Sequence, residues 1–173
     1  PFLGTFEEIN LRFYVKRVEG GSIKRGVVFI NETVPYKLVA WLANKLYKEH
    51  YIAIPTKNEI GFTSLSKNIK YQWKINKEWN HIAINNAIEN EQMLPGSIEE
   101  FIFEHYYGYT KINDRLSHEY KVNHPRWQVN KVTDYSVLCD FKSMYGNDFS
   151  FLSNHQPDSV IMAEGSPVTV NWK

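Results

Sequence analysis

The sequence predicts an α+β fold, mostly β, with two helices lying on a sheet of many strands. Three observations carry that reading. Several stretches alternate apolar and polar residues with period two, glycine-containing turn signals separate them, and aromatic residues make up 15% of the chain along its whole length. The chain has 173 residues, 20 Lys+Arg against 19 Asp+Glu, and a single cysteine. That length suits one domain, taken as 1–173, able to bury a sizeable core. A net charge of +1 argues against a nucleic-acid partner bound by neutralising many phosphates. No apolar run approaches the roughly 18–20 residues of a membrane-spanning helix, so no membrane partner is expected. Cys139 alone cannot form an internal disulfide, which fits a reducing, cytoplasmic setting.

The elements follow in order. Ile9, Leu11, Phe13 and Val15 alternate with Asn10, Arg12, Tyr14 and Lys16, the pattern of a half-buried strand. Gly20-Gly21 supplies the positive-φ positions of a tight turn, and Val27-Val28-Phe29-Ile30 reads as the returning strand of a hairpin. Pro35 suits the first turn of a helix, and Leu38, Trp41, Leu42 and Leu46 follow at helical spacing to about Glu49. Tyr51–Ile54 reads as a short strand stopped by Pro55, and the polar stretch 58–68 as a loop. Ile69 to Ile75 and Asn80 to Ile84 alternate again and form a second hairpin. Ser97-Ile98-Glu99-Glu100 is a capping box opening a short helix that carries Phe101, Ile102 and His105. Strands are expected at 107–111, 117–123, 127–139, 159–163 and 168–172, with one helical turn over 141–145.

Chemistry has few footholds. No phosphate-cradling loop, dinucleotide fingerprint or nucleophile elbow is present, so no cofactor is expected. Zinc spacing is impossible with one cysteine, and Cys139 reads as a buried, inert thiol. His118 and His124 share a strand face but stand about 20 Å apart at roughly 3.3 Å per residue, too far to meet on one metal ion. Glu104 and His105 offer an acid/base pair on the short helix, but helix neighbours point roughly 100° apart, so the favoured reading is one exposed carboxylate and one partly buried imidazole. Glu32 ends a buried strand, where its carboxyl either enters a cavity with a raised pKa or pairs with Arg12 or a lysine. Lys57 is the one candidate for a Schiff base, yet its neighbours Thr56, Asn58 and Glu59 read as solvated and include an acid. Asn31-Glu32-Thr33 matches a glycosylation sequon, read as chance inside a strand.

Several phrases resemble a bacterial conserved-protein family of unknown function, the YqjF-like family. They are Phe6-Glu7-Glu8-Ile9-Asn10-Leu11-Arg12-Phe13-Tyr14-Val15, Arg25-Gly26-Val27-Val28-Phe29-Ile30, Glu104-His105-Tyr106-Tyr107-Gly108-Tyr109, Glu119 through Trp127, and Ala163-Glu164-Gly165-Ser166. Members usually carry a further N-terminal stretch, so the resemblance implies that this chain, which opens at Pro1, is the larger C-terminal part of a longer protein. The family is similar in architecture to acetoacetate decarboxylase, which implies a strongly curved antiparallel or barrel-like sheet around a cavity. In that enzyme a lysine pair follows a proline. The local match is Pro55-Thr56-Lys57, with Thr56 at the position of the nucleophilic lysine, and fold without site does not carry function.

Three functional readings follow. The first is a binding module holding a small carboxylate- or carbonyl-bearing molecule in an aromatic-lined cavity, oriented by Arg12, Glu32, His124 and Trp127. The second is a decarboxylase-like lyase or a hydrolase using Lys57, or Glu104 with His124 as acid and base. The third is a protein–protein interaction domain, including homo-oligomerisation, marked by exposed Trp and Tyr.

Overall fold

The computed structural model describes residues 4–172, so Pro1, Phe2, Leu3 and Lys173 lie outside the described residues. The chain folds into two sheets that form one strongly curled, largely antiparallel half-barrel. The six-stranded sheet contains β1 (Ile9–Glu19), β2 (Ser22–Val34), β3 (Tyr51–Ala53), β7 (Tyr107–Asn113), β8 (Leu116–Asn123) and β11 (Thr169–Trp172). The five-stranded sheet runs in the order β10 (Met162–Ala163), β9 (Gln128–Leu138), β6 (Glu78–Gln92), β5 (Ser66–Ile75) and β4 (Thr56–Phe62). Two of the pairings, β2 with β3 and β2 with β7, are parallel.

The first hairpin forms as the sequence predicts, with Gly20 and Gly21 both at positive φ (57° and 81°), a conformation nearly closed to residues with a Cβ. Its ladder is not regular. From the turn inward Glu19 pairs Ser22 and Arg12 pairs Phe29, but Leu11 pairs Asn31 and Asn10 pairs Glu32, leaving Ile30 as a bulge. One extra residue reverses which face the following side chains take. Glu32 therefore joins the face of Val27 and Phe29, together with Asn10, Arg12 and Tyr14 of β1.

Helix α1 (Lys37–Tyr47) occupies the expected stretch and ends at Lys48, whose left-handed φ of 61° closes it. Asn44 holds the chain as it returns, its amide accepting from the Tyr51 backbone N–H (2.7 Å) and donating to the Tyr51 carbonyl (2.8 Å). Helix α2 (Ile98–Phe103) has the capping box: Ser97 Oγ accepts from Glu100 N at 3.2 Å. The Glu100 carboxylate reaches back one residue further than expected, to Gly96 N at 2.7 Å. One expectation is corrected here. The helix ends at Phe103, so Glu104 is its cap and His105 lies beyond it. The helical turn expected over 141–145 forms as α3 (Phe141–Tyr145), and a 3₁₀ segment (Asn147–Asn154) follows it.

The stretch read as a loop over 58–68 is also corrected, since β4 pairs with β5 from Thr56–Trp73 to Phe62–Lys67. Lys57, Asn58 and Glu59 disguised an edge strand, where polar and charged side chains discourage pairing with other chains. The chain passes between sheets at Pro55, whose carbonyl accepts from Lys74 N, while Ile54 N donates to Val34 O (both 3.0 Å).

The core sits where the sheets curl together. Trp73, Ile69, Val27 and Val34 are almost fully buried. In the five-stranded sheet the ladders align Ile60, Ile69, Ile84 and Tyr135 in one row and Tyr71, Ile82 and Val137 in the next. Asn80, buried beside them, accepts from Asp140 N (2.7 Å) and so anchors the start of α3. No described helix is long and apolar enough to cross a membrane.

Candidate functional site

The bulge in β2 builds the site. By turning Glu32 onto the face of Arg12 and Tyr14, it opens a polar lane across the six-stranded sheet in place of a continuous apolar one. Register carries the lane onward: Tyr51 is opposite Glu32, Gly108 opposite Val27, and Tyr120 opposite Gly108, with Thr110 two residues along on the same face. Tyr120 can lie flat here because Gly108 has no side chain; a Cβ at that position would come within 2.0 Å of the phenol ring.

Glu32 is 5% exposed, and its Oε2 has no hydrogen-bond partner among the described residues. Burial pushes its pKa up to about 8, and the neighbouring Glu49 carboxylate pushes in the same direction against the Tyr51 hydroxyl. At neutral pH Glu32 is mostly the acid, able to donate. Glu49 is held by Thr110, whose Oγ1 donates to Oε1 at 2.6 Å, and the Tyr51 hydroxyl donates to Glu8 at 3.3 Å. Burial raises the Tyr120 pKa, helped by the Glu49 and Glu32 charges and opposed by that of Arg12.

Arg12 is the cation of the lane. Its Nη2 donates to the Tyr14 hydroxyl at 3.2 Å, and the Tyr14 ring packs on Phe101 and edge-on against His105. His105 is pushed down to about 4, first by burial and then by the Arg12 charge, so it is neutral at pH 7. Its Nδ1 is buried without a hydrogen-bond partner among the described residues. A slot of about 40 Å³ beside Tyr14, Phe101, His105 and Gly26 has room for one water-sized group.

Beyond His105 the lane ends in aromatic rings. His124 stacks on Trp127 at 4.4 Å and packs against Tyr106 at 5.2 Å, while Trp127 Nε1 donates to Ser166 Oγ at 2.8 Å. The Tyr106 hydroxyl donates to Glu104 Oε2, and burial together with that carboxylate lifts the Tyr106 pKa to about 12. Glu104 Oε1 is buried and unpartnered among the described residues.

Contacts thus link Arg12 through Tyr14 to His105, and Glu104 through Tyr106 to His124 and Trp127, while Glu32 shares the strand face of Arg12. Arg12 and Glu32 form no ion pair with each other. Lys57 stands apart, exposed on β4 of the other sheet with its ammonium 4.6 Å from the Trp79 ring centre. Glu49, Tyr51, Thr110 and Tyr120 were not foreseen; they reach the lane through strand order, which no local pattern encodes. The sequon is closed, since Thr33 is fully buried in β2. Burial lifts the Cys139 thiol to about 12, leaving it protonated. Among the described residues no three His, Cys, Asp or Glu side chains are grouped to hold a metal ion.

No curated protein matches this sequence. Residues 1–167 match the model of a family described as an uncharacterized conserved protein, and the chain belongs to that family, DUF2071.

Proposed function

We propose that the protein binds a small carbonyl- or carboxylate-bearing molecule on the lane of the six-stranded sheet. The observation that carries this is the pairing, on one face of one bulged hairpin, of a guanidinium with a carboxyl group in its acid form whose Oε2 is buried and unpartnered. Buried polar atoms cost about 1–3 kcal/mol when unsatisfied, so Glu32 Oε2 and His105 Nδ1 gain from a ligand that supplies the partners. Arg12 offers a forked donor suited to a carboxylate, and Glu32 offers a proton to a carbonyl oxygen. His124 and Trp127 supply an apolar wall at the far end. The resemblance to YqjF-like proteins and to the acetoacetate decarboxylase architecture supports the same reading, since a curled sheet around a cavity is a place for a small molecule.

A second reading, acid/base catalysis, is favoured by one contact. Tyr106 joins Glu104 to His124, through its hydroxyl on one side and its ring on the other. A Schiff base on Lys57 has no comparable support.

The test is thermal unfolding with a panel of keto acids and aldehydes, followed by borohydride trapping and peptide mass spectrometry. At least one compound is expected to raise the unfolding temperature of the wild type and not of Arg12→Met, with no adduct on Lys57. A panel without effect on a folded protein overturns the binding reading, and a specific Lys57 adduct replaces it with Schiff-base chemistry.

A further inference from the structure

The five-stranded sheet carries a second, separate concavity. A trough of about 550 Å³ crosses four strands, with the Ile60–Ile69–Ile84–Tyr135 row along its middle. Two further rows of residues flank that one. The ladders align Gly61, Asn68, Asn85 and Asp134 in the first, and Glu59, Lys70, Ala83 and Ser136 in the second. Four strands at about 4.8 Å spacing make the trough about 14 Å long, and two rows make it about 7 Å wide. Its volume lies within the roughly 300–1,000 Å³ of small-molecule sites.

Small residues create the space. Gly61 has no positive φ, and a Cβ built there would meet nothing within 4 Å. Neither backbone strain nor a close neighbour therefore calls for glycine at this position; what its lack of a side chain leaves is room. Ala83 and Ser136 continue that low floor on the other flanking row.

The lining selects the guest. Two carboxylates, Glu59 and Asp134, stand against one ammonium, Lys70, so an anionic ligand is repelled. Amide, carboxylate and hydroxyl groups share the lining with Ile60, Ile69, Ile84 and Tyr135, so a wholly apolar ligand would strip the polar groups of water without return, whereas a guest with both hydroxyl groups and C–H faces meets partners for each. Donors and acceptors alternate within a few ångströms: amide groups of Asn68 and Asn85, carboxylate oxygens of Asp134 and Glu59, and the Ser136 hydroxyl. Part of this set is pre-oriented, because Gln72 Nε2 donates to Glu59 Oε1 at 2.9 Å and His81 Nε2 bonds Ser136 Oγ at 3.1 Å. The Asn85 side-chain oxygen has no partner among the described residues, so that amide is uncommitted. A group that both donates and accepts at each of several adjacent positions is a polyol. We propose that this trough binds a neutral polyhydroxylated ligand, of the chemical class of a short oligosaccharide.

The test is an amide NMR titration of the 173-residue chain with maltotriose, cellotriose and triacetylchitotriose, and with inorganic phosphate as the anionic control. At least one sugar is expected to give saturable shifts at Asn68, Asn85 and Ser136. Gly61→Trp, which fills the trough from an unobstructed position, is expected to weaken that binding by at least about tenfold without lowering the unfolding temperature. Asn85→Ala, expected to weaken it in the same direction, keeps the test decisive if the larger substitution perturbs the edge strand. Three sugars without effect on these signals at millimolar concentration overturn the proposal. So does unchanged sugar binding in both variants, or phosphate binding at the same residues more tightly than any sugar.

Discussion

In the five-stranded sheet, β4, β5 and β6 pair without interruption, and Ile60, Ile69, Tyr71, Trp73, Ile82 and Ile84 fall on one face. In the six-stranded sheet, one extra residue at Ile30 turns a carboxyl group onto the face of Val27 and Phe29. Along these regular ladders the first sheet buries Ile69 and Trp73, and it buries Asn86 and Asn130 where β6 and β9 shift register. The second carries Glu32 inward at its bulge and leaves a carboxyl oxygen there without a partner among the described residues. The contrast teaches that a regular ladder separates packing from chemistry, whereas a bulge places chemistry within the packing. Their responses to mutation should differ accordingly.

The largest effect belongs to the five-stranded sheet. Trp73, 1% exposed, is its largest fully buried side chain, and Trp73→Ala should cost about 3–5 kcal/mol in denaturant unfolding. A cost below about 1 kcal/mol would mean that this face is loosely packed and that the comparison is misdrawn.

The lane should instead reveal itself through pH. Glu32 has its pKa raised to about 8 in the folded protein, so its stabilising contribution is complete below the ordinary carboxylate range and is lost as pH rises towards 8. His105 has its pKa lowered to about 4, so its contribution is complete above the ordinary imidazole range and is lost as pH falls towards 4. The two oppose each other between about pH 4.5 and 6.5, leaving a plateau and then a fall up to about pH 8. Glu32→Gln keeps the shape and removes the charge. It should abolish that fall and be more stable than the wild type at pH 8, on the order of 3 kcal/mol. Unfolding curves across this range read it directly, and an unchanged fall in the variant would place its origin elsewhere.

Much of this contrast could not be read along the chain. The alternation at Ile9–Val15 and Ile69–Ile75, the Gly20-Gly21 turn and the Ser97–Glu100 cap are local signals, and each formed its element. Arg12 and Glu32 were legible as singular residues, but their shared face was not. Counting outward from the two-residue turn pairs Asn10 with Asn31 and sends Glu32 to the opposite side; the bulge that corrects this leaves no mark in Val27-Val28-Phe29-Ile30. Glu49 and Thr110, 61 residues apart, meet only through sheet order. Strand β4 was hidden because an edge strand is under selection to look unlike a central one.

Two glycines, one in each sheet, sharpen the comparison further. At Gly108 a methyl group would stand 2.0 Å from the ring of Tyr120, which is 8% exposed and so has little room to move aside. Gly108→Ala should therefore cost about 1–3 kcal/mol by overpacking. In a Tyr120→Ala background most of that penalty should vanish, and a cycle of the two single variants and the double measures the coupling. A penalty that persists without the Tyr120 ring would locate the strain in the backbone.

The smallest effect is expected at Gly61, where the same added methyl meets nothing within 4 Å and φ does not favour glycine. The folded state gains no clash, and the unfolded chain loses some of its freedom, which by itself stabilises by about 0.4–1 kcal/mol. Gly61→Ala should accordingly be neutral to slightly stabilising in denaturant, while larger side chains at this position progressively fill the trough. A loss of more than about 1 kcal/mol would show that β4 needs glycine for its own folding. The low floor at Gly61 would then be a by-product of the edge strand, and the two glycines would differ in degree and not in kind.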